Sequence, residues 1–259
     1  MVPLYARALD QRRRRPILDD PKAVEIVESI DWDFRRFGQR RRLVGCVLRS
    51  AIFDVLVRDF LERHPEGTVV EIGAGLNTRF ERLDNGTIHW FDLELPDIVE
   101  LRRRFFSDSQ RRITLATSVV DCDWIETVRR SPGPYLFVAE TVFVYLEGAQ
   151  VKDALAQIAT GFSRVTIALD TVGRRAVNSA NKDFARRKMA ARFVWTCEDP
   201  VEVEGWKIGL RLVQSRTVAE APDCLWPRLP IPLRASLGLF RRLFPKSMKL
   251  YQISVFAGQ

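Results

Sequence analysis

The chain has 259 residues, of which 46% are hydrophobic, and it carries a formal net charge of +8. This length can bury one large core, so it favours a single domain over residues 1–259 and excludes a small disulfide-stabilised protein. No apolar run approaches the roughly 20 residues that span a bilayer, and the charged N-terminus lacks the apolar region of a secretory signal. We therefore expect a cytoplasmic protein with no membrane partner.

Cysteine and histidine are too sparse for a conventional metal centre. The four cysteines are scattered and form no CxxC pair. Of the two histidines, His64 precedes a Pro-Glu-Gly turn and His89 lies within a predicted strand. We expect free thiols, structural histidines and no metal site.

The N-terminal quarter of the chain, residues 1–66, is predicted to be helical and to cover the core that follows. Pro21 suits the first turn of a helix. Apolar residues in 50–63 recur at the spacing of an amphipathic helix that leads into the first strand.

Residues 68–79, TVVEIGAGLNTR, have the pattern of a buried strand that runs through a glycine turn into a helix. The run of Val69, Val70 and Ile72 is typical of a parallel strand, and the Gly-Ala-Gly turn lets the backbone pass close to a nucleotide-like ligand. Thr78 replaces the third glycine of a dinucleotide fingerprint and no GxxxxGK[ST] segment occurs, which weakens the NAD and ATP interpretations. A tight turn without a ligand is the alternative.

Acidic residues follow the next predicted strands. An apolar run at 88–91 ends at Asp92, a third candidate strand ends at Asp121, and a fourth at 135–139 is followed by Glu140. The carboxyl ends of parallel strands meet at one edge of an open α/β sheet, where ligands bind. Asp92 lies about 20 residues beyond the glycines, where a carboxylate can accept both ribose hydroxyls. A solvated loop carboxylate or a helix cap is the alternative for each acid taken singly.

The second half of the chain continues the α/β alternation. Residues 148–160 and 173–192 have helical composition, 165–172 has the pattern of a fifth strand, and 251–257 alternates like a final antiparallel strand. The aromatic stretch at 193–195 and the proline-rich stretch at 222–232 have no counterpart in a minimal fold of this kind. We expect them to contribute to a cap over a substrate.

Several segments, in this order and spacing, resemble the S-adenosylmethionine (SAM)-dependent O-methyltransferases of the leucine carboxyl methyltransferase superfamily. They are VVEIGAGLNTR, HWFDLELPDIVELRRRFF, SVVDCDW and LFVAETVFVYLE, and YARALDQRRRRPILDDPKAVEIVESIDWDF is similar to its bacterial branch, named for tetracenomycin polyketide O-methyltransferase. The resemblance implies an α/β fold of class I, a Rossmann-like sheet with helices on both faces. Its expected parts are an N-terminal helical cover (1–66), a cofactor-binding core (67–172), a substrate cap with late core elements (173–235), and final core elements (236–259).

The resemblance also implies which residues bind SAM. Arg49 is expected to pair with the methionyl carboxylate, a task that suits a guanidinium fork. Glu140 is expected near the methionyl amino group and Asp92 at the ribose, while Arg12 matches an N-terminal basic residue that closes over the cofactor. The other expected cofactor contacts are the turn Gly73, Ala74 and Gly75, the adenine pair Asp121 and Cys122, and Glu71 and Leu93. The chain departs from the family pattern at two positions, with Asn77 in place of Asp and Thr141 in place of Gly.

The methyl acceptor is expected to be a small molecule, and catalysis to rest on proximity and orientation without an assigned catalytic residue. A carboxylate is already ionised at neutral pH, whereas a phenol usually needs a base. The scarcity of histidine favours a carboxylate, although Asp, Glu or Tyr could deprotonate a phenol, and the family resemblance allows both acceptors. The expected substrate contacts are Tyr145, Arg175, Arg192 and Trp195.

Two other functions are consistent with the sequence. Asn77 and Thr141 would suit a SAM-binding protein with little or no turnover. The high positive charge would suit a nucleic-acid-binding module, but the arginine runs are spread along the whole chain and no recognised nucleic-acid-binding motif accompanies them. We therefore expect a methyltransferase acting on a small, aromatic or polyketide-type metabolite, with no nucleic-acid partner.

Overall fold

The computed structural model describes residues 1–37, 40–243 and 250–258. In this part of the chain, seven strands form one mixed sheet. They are β1 (Thr68–Ile72), β2 (His89–Glu94), β3 (Arg112–Ala116), β4 (Tyr135–Ala139), β5 (Val165–Val172), β6 (Leu210–Thr217) and β7 (Tyr251–Gly258). Their order across the sheet is β3-β2-β1-β4-β5-β7-β6.

The strand order reverses at β1, which pairs in parallel with β2 on one side and β4 on the other. Strands β1 to β5 are all parallel, and β7 inserts antiparallel between β5 and β6. The carboxyl ends of β1, β2 and β4 therefore meet at a topological switch point, which is where open α/β sheets bind ligands.

Helices cover both faces of the sheet. The N-terminal helices are α1 (Val2–Gln11), α2 (Pro21–Ser29) and α3 (Arg40–Arg63). Those that follow are α4 (Arg79–Leu83), α5 (Pro96–Arg102), α6 (Asp123–Arg129), α7 (Gly148–Gly161), α8 (Arg174–Arg186), α9 (Val201–Glu204) and α10 (Ile231–Leu243).

Each face of the sheet has its own apolar core, because successive residues of a strand point to opposite faces. Val69 packs with the long helix α3, whereas its neighbour Val70 packs with α6 and α7. All five residues of β1 are buried, the polar Thr68 and Glu71 included, as in a parallel strand covered on both faces. The predicted α/β fold, with helices on both faces and a helical cover before the sheet, is confirmed.

Three predicted strand positions need correction. Strand β2 continues to Glu94, so Asp92 lies inside it and not at its end. The third strand ends at Ala116 and not at Asp121. Strand β6 lies within the segment 173–235, most of which was expected to form a cap. Residues 38–39 of the expected helical cover and 244–249 of the final segment lie outside the described residues, and the proposed division of the domain stays a prediction.

Candidate cofactor site

The glycine turn at the end of β1 has the backbone conformation that the sequence pattern predicts. Gly73 and Gly75 have φ angles of 62° and 48°, in the left-handed region that favours glycine. A Cβ on Gly73 would lie 2.6 Å from the side chain of Val142. The amides of Gly73 and Ala74 donate to the backbone carbonyl of Leu93 at 2.8 and 3.3 Å. The turn is thus fixed to β2, and Leu93 contributes its backbone while its side chain is buried in the core.

Glu94, the last residue of β2, contributes a carboxylate to this turn. Its Oε2 accepts a hydrogen bond from the amide of Gly75 at 2.7 Å, and its Oε1 accepts one from the amide of Leu95 at the same distance. The side chain remains partly exposed. Sequence reasoning missed Glu94 because the predicted strand stopped two residues too early.

Asp92 is a structural residue instead. Its side chain is 1% exposed, and its Oδ2 lies 2.7 Å from both Arg102 and Arg112. Trp90 donates its indole N–H to the other oxygen at 3.1 Å. Burial alone would raise the pKa of Asp92, but the two arginines outweigh it and hold the pKa below its usual value. Reaching a ligand would leave two buried guanidinium groups without this partner, so the expected ribose contact of Asp92 is not supported.

Arg49 and Glu140 meet at the carboxyl end of β4, as their predicted roles require. Arg49 donates from Nε to Oε1 of Glu140 at 2.8 Å, and Ser50 donates to the same oxygen at 2.7 Å. Arg79 donates to the other oxygen at 2.6 Å. Burial opposes ionisation of Glu140, but these arginines outweigh it and lower the pKa to about 2. The terminal nitrogens of Arg49 have no hydrogen-bond partner among the described residues.

Arg79 connects three carboxylates beneath the site. It is fully buried, and it donates to Asp54 at 2.8 Å as well as to Glu71 and Glu140. Sequence reasoning missed this role, since the only signal was an arginine directly after the turn. Arg79 leaves Glu140 fixed in an ionised state beside Arg49.

Glu71 lies in this buried charge cluster and has no opening toward a ligand, being 3% exposed. Burial raises its pKa to about 7, assisted by Asp92 and Glu140 and opposed by Arg79. Asn77 donates its side-chain amide to Glu71 at 2.6 Å. An ionised aspartate at this position could not donate that bond, so the departure at Asn77 has a structural role.

The expected adenine pair lies on the loop between β3 and α6. Asp121 accepts hydrogen bonds from the hydroxyl of Thr117 at 3.3 Å and from the amide of Ser118 at 3.2 Å. Asp121 and Cys122 are both exposed. Both side chains are therefore accessible to a ligand at the edge of the sheet.

The N-terminal arginine at the turn is Arg7 and not Arg12. Arg12 pairs with Glu28 at 2.8 Å on the surface, where its side chain is half exposed. Arg7 is buried, donates to the backbone carbonyl of Leu76 at 2.8 Å, and pairs with Asp20 at 2.7 Å. Arg7, about one and a half helical turns before Arg12, is therefore the N-terminal arginine that contacts the turn.

Of the expected substrate contacts, Tyr145 lies at the carboxyl edge of the sheet, in a short 3-10 helix that follows β4. Its side chain is 44% exposed and its ring lies 5.1 Å from that of Phe193. Thr141, between Glu140 and Tyr145, has a φ angle of 58° and donates its amide to Asp170 at 2.9 Å. A branched residue is strained in this backbone region, at the position where the resemblance led us to expect glycine.

The other three expected substrate contacts differ in exposure, since Trp195 is buried whereas Arg175 and Arg192 are exposed. Trp195 is 6% exposed and packs against Trp206 in the core, which leaves little of its side chain for contact with a substrate. Arg175 is exposed on α8, while Arg192 lines a cavity of about 420 Å³ beside Arg174. A larger cavity of about 600 Å³, between α1, α3 and the start of α10, is lined by none of the expected site residues.

No group of His, Cys, Asp and Glu side chains in the described part of the chain is arranged to hold a metal ion. No helix within residues 1–37, 40–243 and 250–258 is long and apolar enough to cross a membrane.

The strand order, the glycine turn and the acids at one edge of the sheet define a class I methyltransferase fold. A DUF574 family protein from Streptomyces avermitilis shares this fold with a TM-score of 0.58 and 14% identity, over 98% of this chain and 97% of that one. Magnesium protoporphyrin IX methyltransferase from Synechocystis, solved with bound S-adenosylhomocysteine (SAH), shares the fold with a TM-score of 0.52 and 9% identity. The match covers 92% of this chain and 93% of that one.

The chain belongs to the leucine carboxyl methyltransferase family, whose model matches residues 1–159. It is 31% identical over 224 residues to tetracenomycin polyketide synthesis O-methyltransferase TcmP of Streptomyces glaucescens, covering 86% of this chain and 83% of that protein. It is 27% identical to the SAM-dependent methyltransferase dpfgK of Gibberella zeae, covering 82% of this chain and 78% of that protein. The predicted family and the predicted cofactor, SAM, are confirmed.

Proposed function

We propose that this methyltransferase transfers the methyl group of SAM to a carboxylate or phenol oxygen of a small, aromatic or polyketide-type metabolite. The relationship to TcmP, an O-methyltransferase of polyketide synthesis, supports oxygen as the acceptor atom. The observation that carries the proposal is the meeting of Arg49, Glu140, Glu94 and the glycine turn at one edge of the sheet.

These residues fit the parts of SAM by charge and hydrogen-bonding capacity. The free terminal nitrogens of Arg49 suit the methionyl carboxylate, and the ionised Glu140 suits the methionyl ammonium. Glu94 takes the ribose hydroxyls in place of Asp92, since it is the acid that ends β2. Asp121 and the neighbouring Cys122 contact the adenine. The glycine turn passes beneath the methionine part of SAM.

SAM supplies an activated methyl group when it is bound, so the protein has to position the acceptor and exclude water. The edge near Tyr145 is the proposed place for the acceptor. The hydroxyl of Tyr145 lies there, with the charges of Arg49 and Asp170 nearby.

The two alternative functions find less support. The side chains of Asn77 and Thr141 each donate a hydrogen bond to a buried carboxylate, so neither departure needs a loss of turnover to explain it. Several arginines that contribute to the net charge are also buried in ion pairs and are not available to phosphates. They are Arg7, Arg79, Arg82, Arg102 and Arg112, whose side chains are at most 6% exposed.

Calorimetric titration with SAM and with its product SAH tests the cofactor site. We expect micromolar binding of both, followed by methyl transfer to aromatic hydroxy acids in a SAH-release assay. Binding of neither compound by a folded protein would refute the proposed site. Binding without transfer to any acceptor would favour the low-turnover alternative.

A further inference from the structure

The cavity of about 420 Å³ that Arg192 lines has no part in the proposed binding of SAM. It lies between the connection that leaves β4, the helix α8 that follows β5, and the segment before α9. Because β4 and β5 are neighbouring parallel strands, this cavity opens at the carboxyl edge of the sheet, where the cofactor turn also lies. We call it the arginine cavity, after Arg174 and Arg192 in its lining.

Phe193 connects the arginine cavity to Tyr145, where the acceptor is proposed to bind. Phe193 lines the cavity, and its ring lies 5.1 Å from the ring of Tyr145. Burial raises the pKa of Tyr145, with Arg49 opposing and Asp170 adding, so charges of the cofactor edge act on this hydroxyl. The cavity thus begins one aromatic ring away from Tyr145, which is within the length of a flat, multi-ring acceptor.

Hydrogen bonds hold the walls of the arginine cavity together. The side chain of Asn181 on α8 donates to the carbonyl of Phe193 at 2.9 Å and accepts from the amide of the same residue at 2.8 Å. The amide of Val194 donates to the carbonyl of Val144, in the 3-10 helix, at 2.7 Å. The walls are therefore fixed to one another without a ligand, which lowers the entropic cost of binding one.

Arg174 and Arg192 bring two positive charges to this cavity without a carboxylate partner. Neither guanidinium forms an ion pair or a hydrogen bond with the described residues, whereas Arg187, which directly follows α8, pairs with Asp183 at 2.7 Å. Glu147, the acid in the lining, caps α7 by accepting a backbone amide of that helix. Two guanidinium groups with free donors at one cavity suit an oxyanion such as a carboxylate.

We propose that the arginine cavity binds a carboxylate of the acceptor that is not methylated, so that the enzyme prefers aromatic acceptors with this additional acidic group. This rests on the proposed methyl-transfer function and adds a determinant of specificity to it. The anchored carboxylate is not the reacting group, because the lining of the cavity includes none of Arg49, Glu140 and Tyr145. Arg174 and Arg192 therefore orient the acceptor and do not act on the reacting oxygen.

Three aromatic diacids, each compared with its monoacid, test this preference. They are isophthalic acid, naphthalene-2,6-dicarboxylic acid and biphenyl-4,4′-dicarboxylic acid, whose carboxylates lie progressively farther apart. In a SAH-release assay, we expect wild type to show a kcat/KM for at least one diacid that is about 10-fold or more above that for its monoacid, a difference typical of a charge-assisted hydrogen bond. This preference should weaken as salt is added, because ions screen exposed charges.

Arg174→Gln and Arg192→Gln each remove one guanidinium and keep a side chain of similar character. Each should raise KM for the preferred diacid by about 3- to 10-fold, since a charged contact is lost but water already screens it. The kcat should stay within about 2-fold, as expected when an interaction is made equally in the ground state and the transition state. The double variant should use the diacid and the monoacid alike.

Arg186→Gln is the matched control, because it removes the same charge from the same helix. The Arg186 side chain is 76% exposed and does not line the cavity. This variant should retain the preference for the diacid. Calorimetric titration of each protein with the diacid, in the presence of SAH, should show the same pattern in Kd, while the Kd for SAH itself should be unchanged in all variants.

Three outcomes would overturn the inference: no diacid preferred by wild type, a preference that persists in the double variant, or an equal loss in the Arg186→Gln control. Failure of the proposed function gives a different result. Binding of a diacid that depends on Arg174 and Arg192, without methyl transfer to any acid, would support the anion site and contradict the proposed acceptor class. A wild-type protein that binds neither SAM nor SAH would mean that the proposed cofactor site itself is wrong.

Discussion

Glu94 and Asp92 are two acids on one strand, and the structure predicts opposite consequences when each is neutralised. Glu94→Gln keeps the shape of a partly exposed side chain that accepts amide hydrogen bonds from Gly75 and Leu95. A hydrogen bond to a charged group contributes about 1.5–3 kcal/mol and a neutral one about 0.5–1.5 kcal/mol. Neutralising the acceptor of two ribose hydroxyls should therefore cost about 2–3 kcal/mol of SAM affinity, which is about 30- to 150-fold in Kd.

Asp92→Asn should instead destabilise the fold. It removes the negative charge from two ion pairs of 2.7 Å, with Arg102 and Arg112, whose side chains are at most 4% exposed. Breaking a buried pair costs about 3–5 kcal/mol, a large part of a typical stability of about 5–15 kcal/mol. For a chain of this size the Tm should fall by about 6–20 °C.

Calorimetric titration with SAM, together with thermal unfolding, separates the two effects. Glu94→Gln should raise Kd with a Tm close to that of wild type. Asp92→Asn should lower Tm and, below its unfolding transition, bind SAM with the wild-type Kd. The reasoning is refuted if Asp92→Asn weakens binding in a stably folded protein while Glu94→Gln leaves the Kd unchanged.

Three further predictions concern the neighbouring charges. The pKa of Glu71 is raised from 4.5 to about 7, so the native state binds its proton more tightly than the unfolded chain. The resulting stabilisation of the native state is complete below pH 4.5 and is lost as pH rises through 7. Glu71→Gln should therefore flatten the fall of the unfolding free energy with pH, measured by urea titration. An unchanged pH dependence would contradict the raised pKa of Glu71. Arg49→Lys keeps the charge but loses the fork, and should weaken SAM binding by about 10- to 100-fold; full affinity would exclude a bidentate contact. Arg12→Ala should change neither SAM affinity nor Tm, because Arg12 is paired on the surface. Arg7→Ala should lower Tm, because it leaves the buried Asp20 with fewer partners. A loss of SAM affinity in Arg12→Ala, with no effect of Arg7→Ala, would restore the expected role of Arg12.

The sequence predicted those parts of the fold whose signal is local. The left-handed turn followed from Gly73 and Gly75, since few other residues adopt this backbone. Strand β5 followed from an apolar run, and most of β7 followed from the alternation of its residues. Strand β6 was missed although LRLVQSRT alternates buried and exposed positions, the pattern of a half-buried strand at the edge of a sheet. Its arginines and glutamine gave it the composition of a loop.

Errors in the site arose where distant residues decide what a side chain does. Nothing local distinguishes Asp92 from Glu94, because the arginines that neutralise Asp92 lie on α5 and β3. Trp195 has the composition of a substrate cap, yet its partner Trp206 belongs to the core. Asp170 and Tyr251 are 81 residues apart, and only the antiparallel pairing of β5 with β7 brings them together.

The buried arginines join the helical cover to the cofactor turn by charge as well as by apolar contact. Arg7 on α1 holds the carbonyl of Leu76, and Asp20 and Asp54 on the cover pair with Arg82 on α4. Each of these charges is buried, so replacing one alone leaves its partner uncompensated. We expect these positions to change together or not at all during evolution, so that the first 20 residues are inherited as a unit with the cofactor turn and cannot be exchanged freely between relatives.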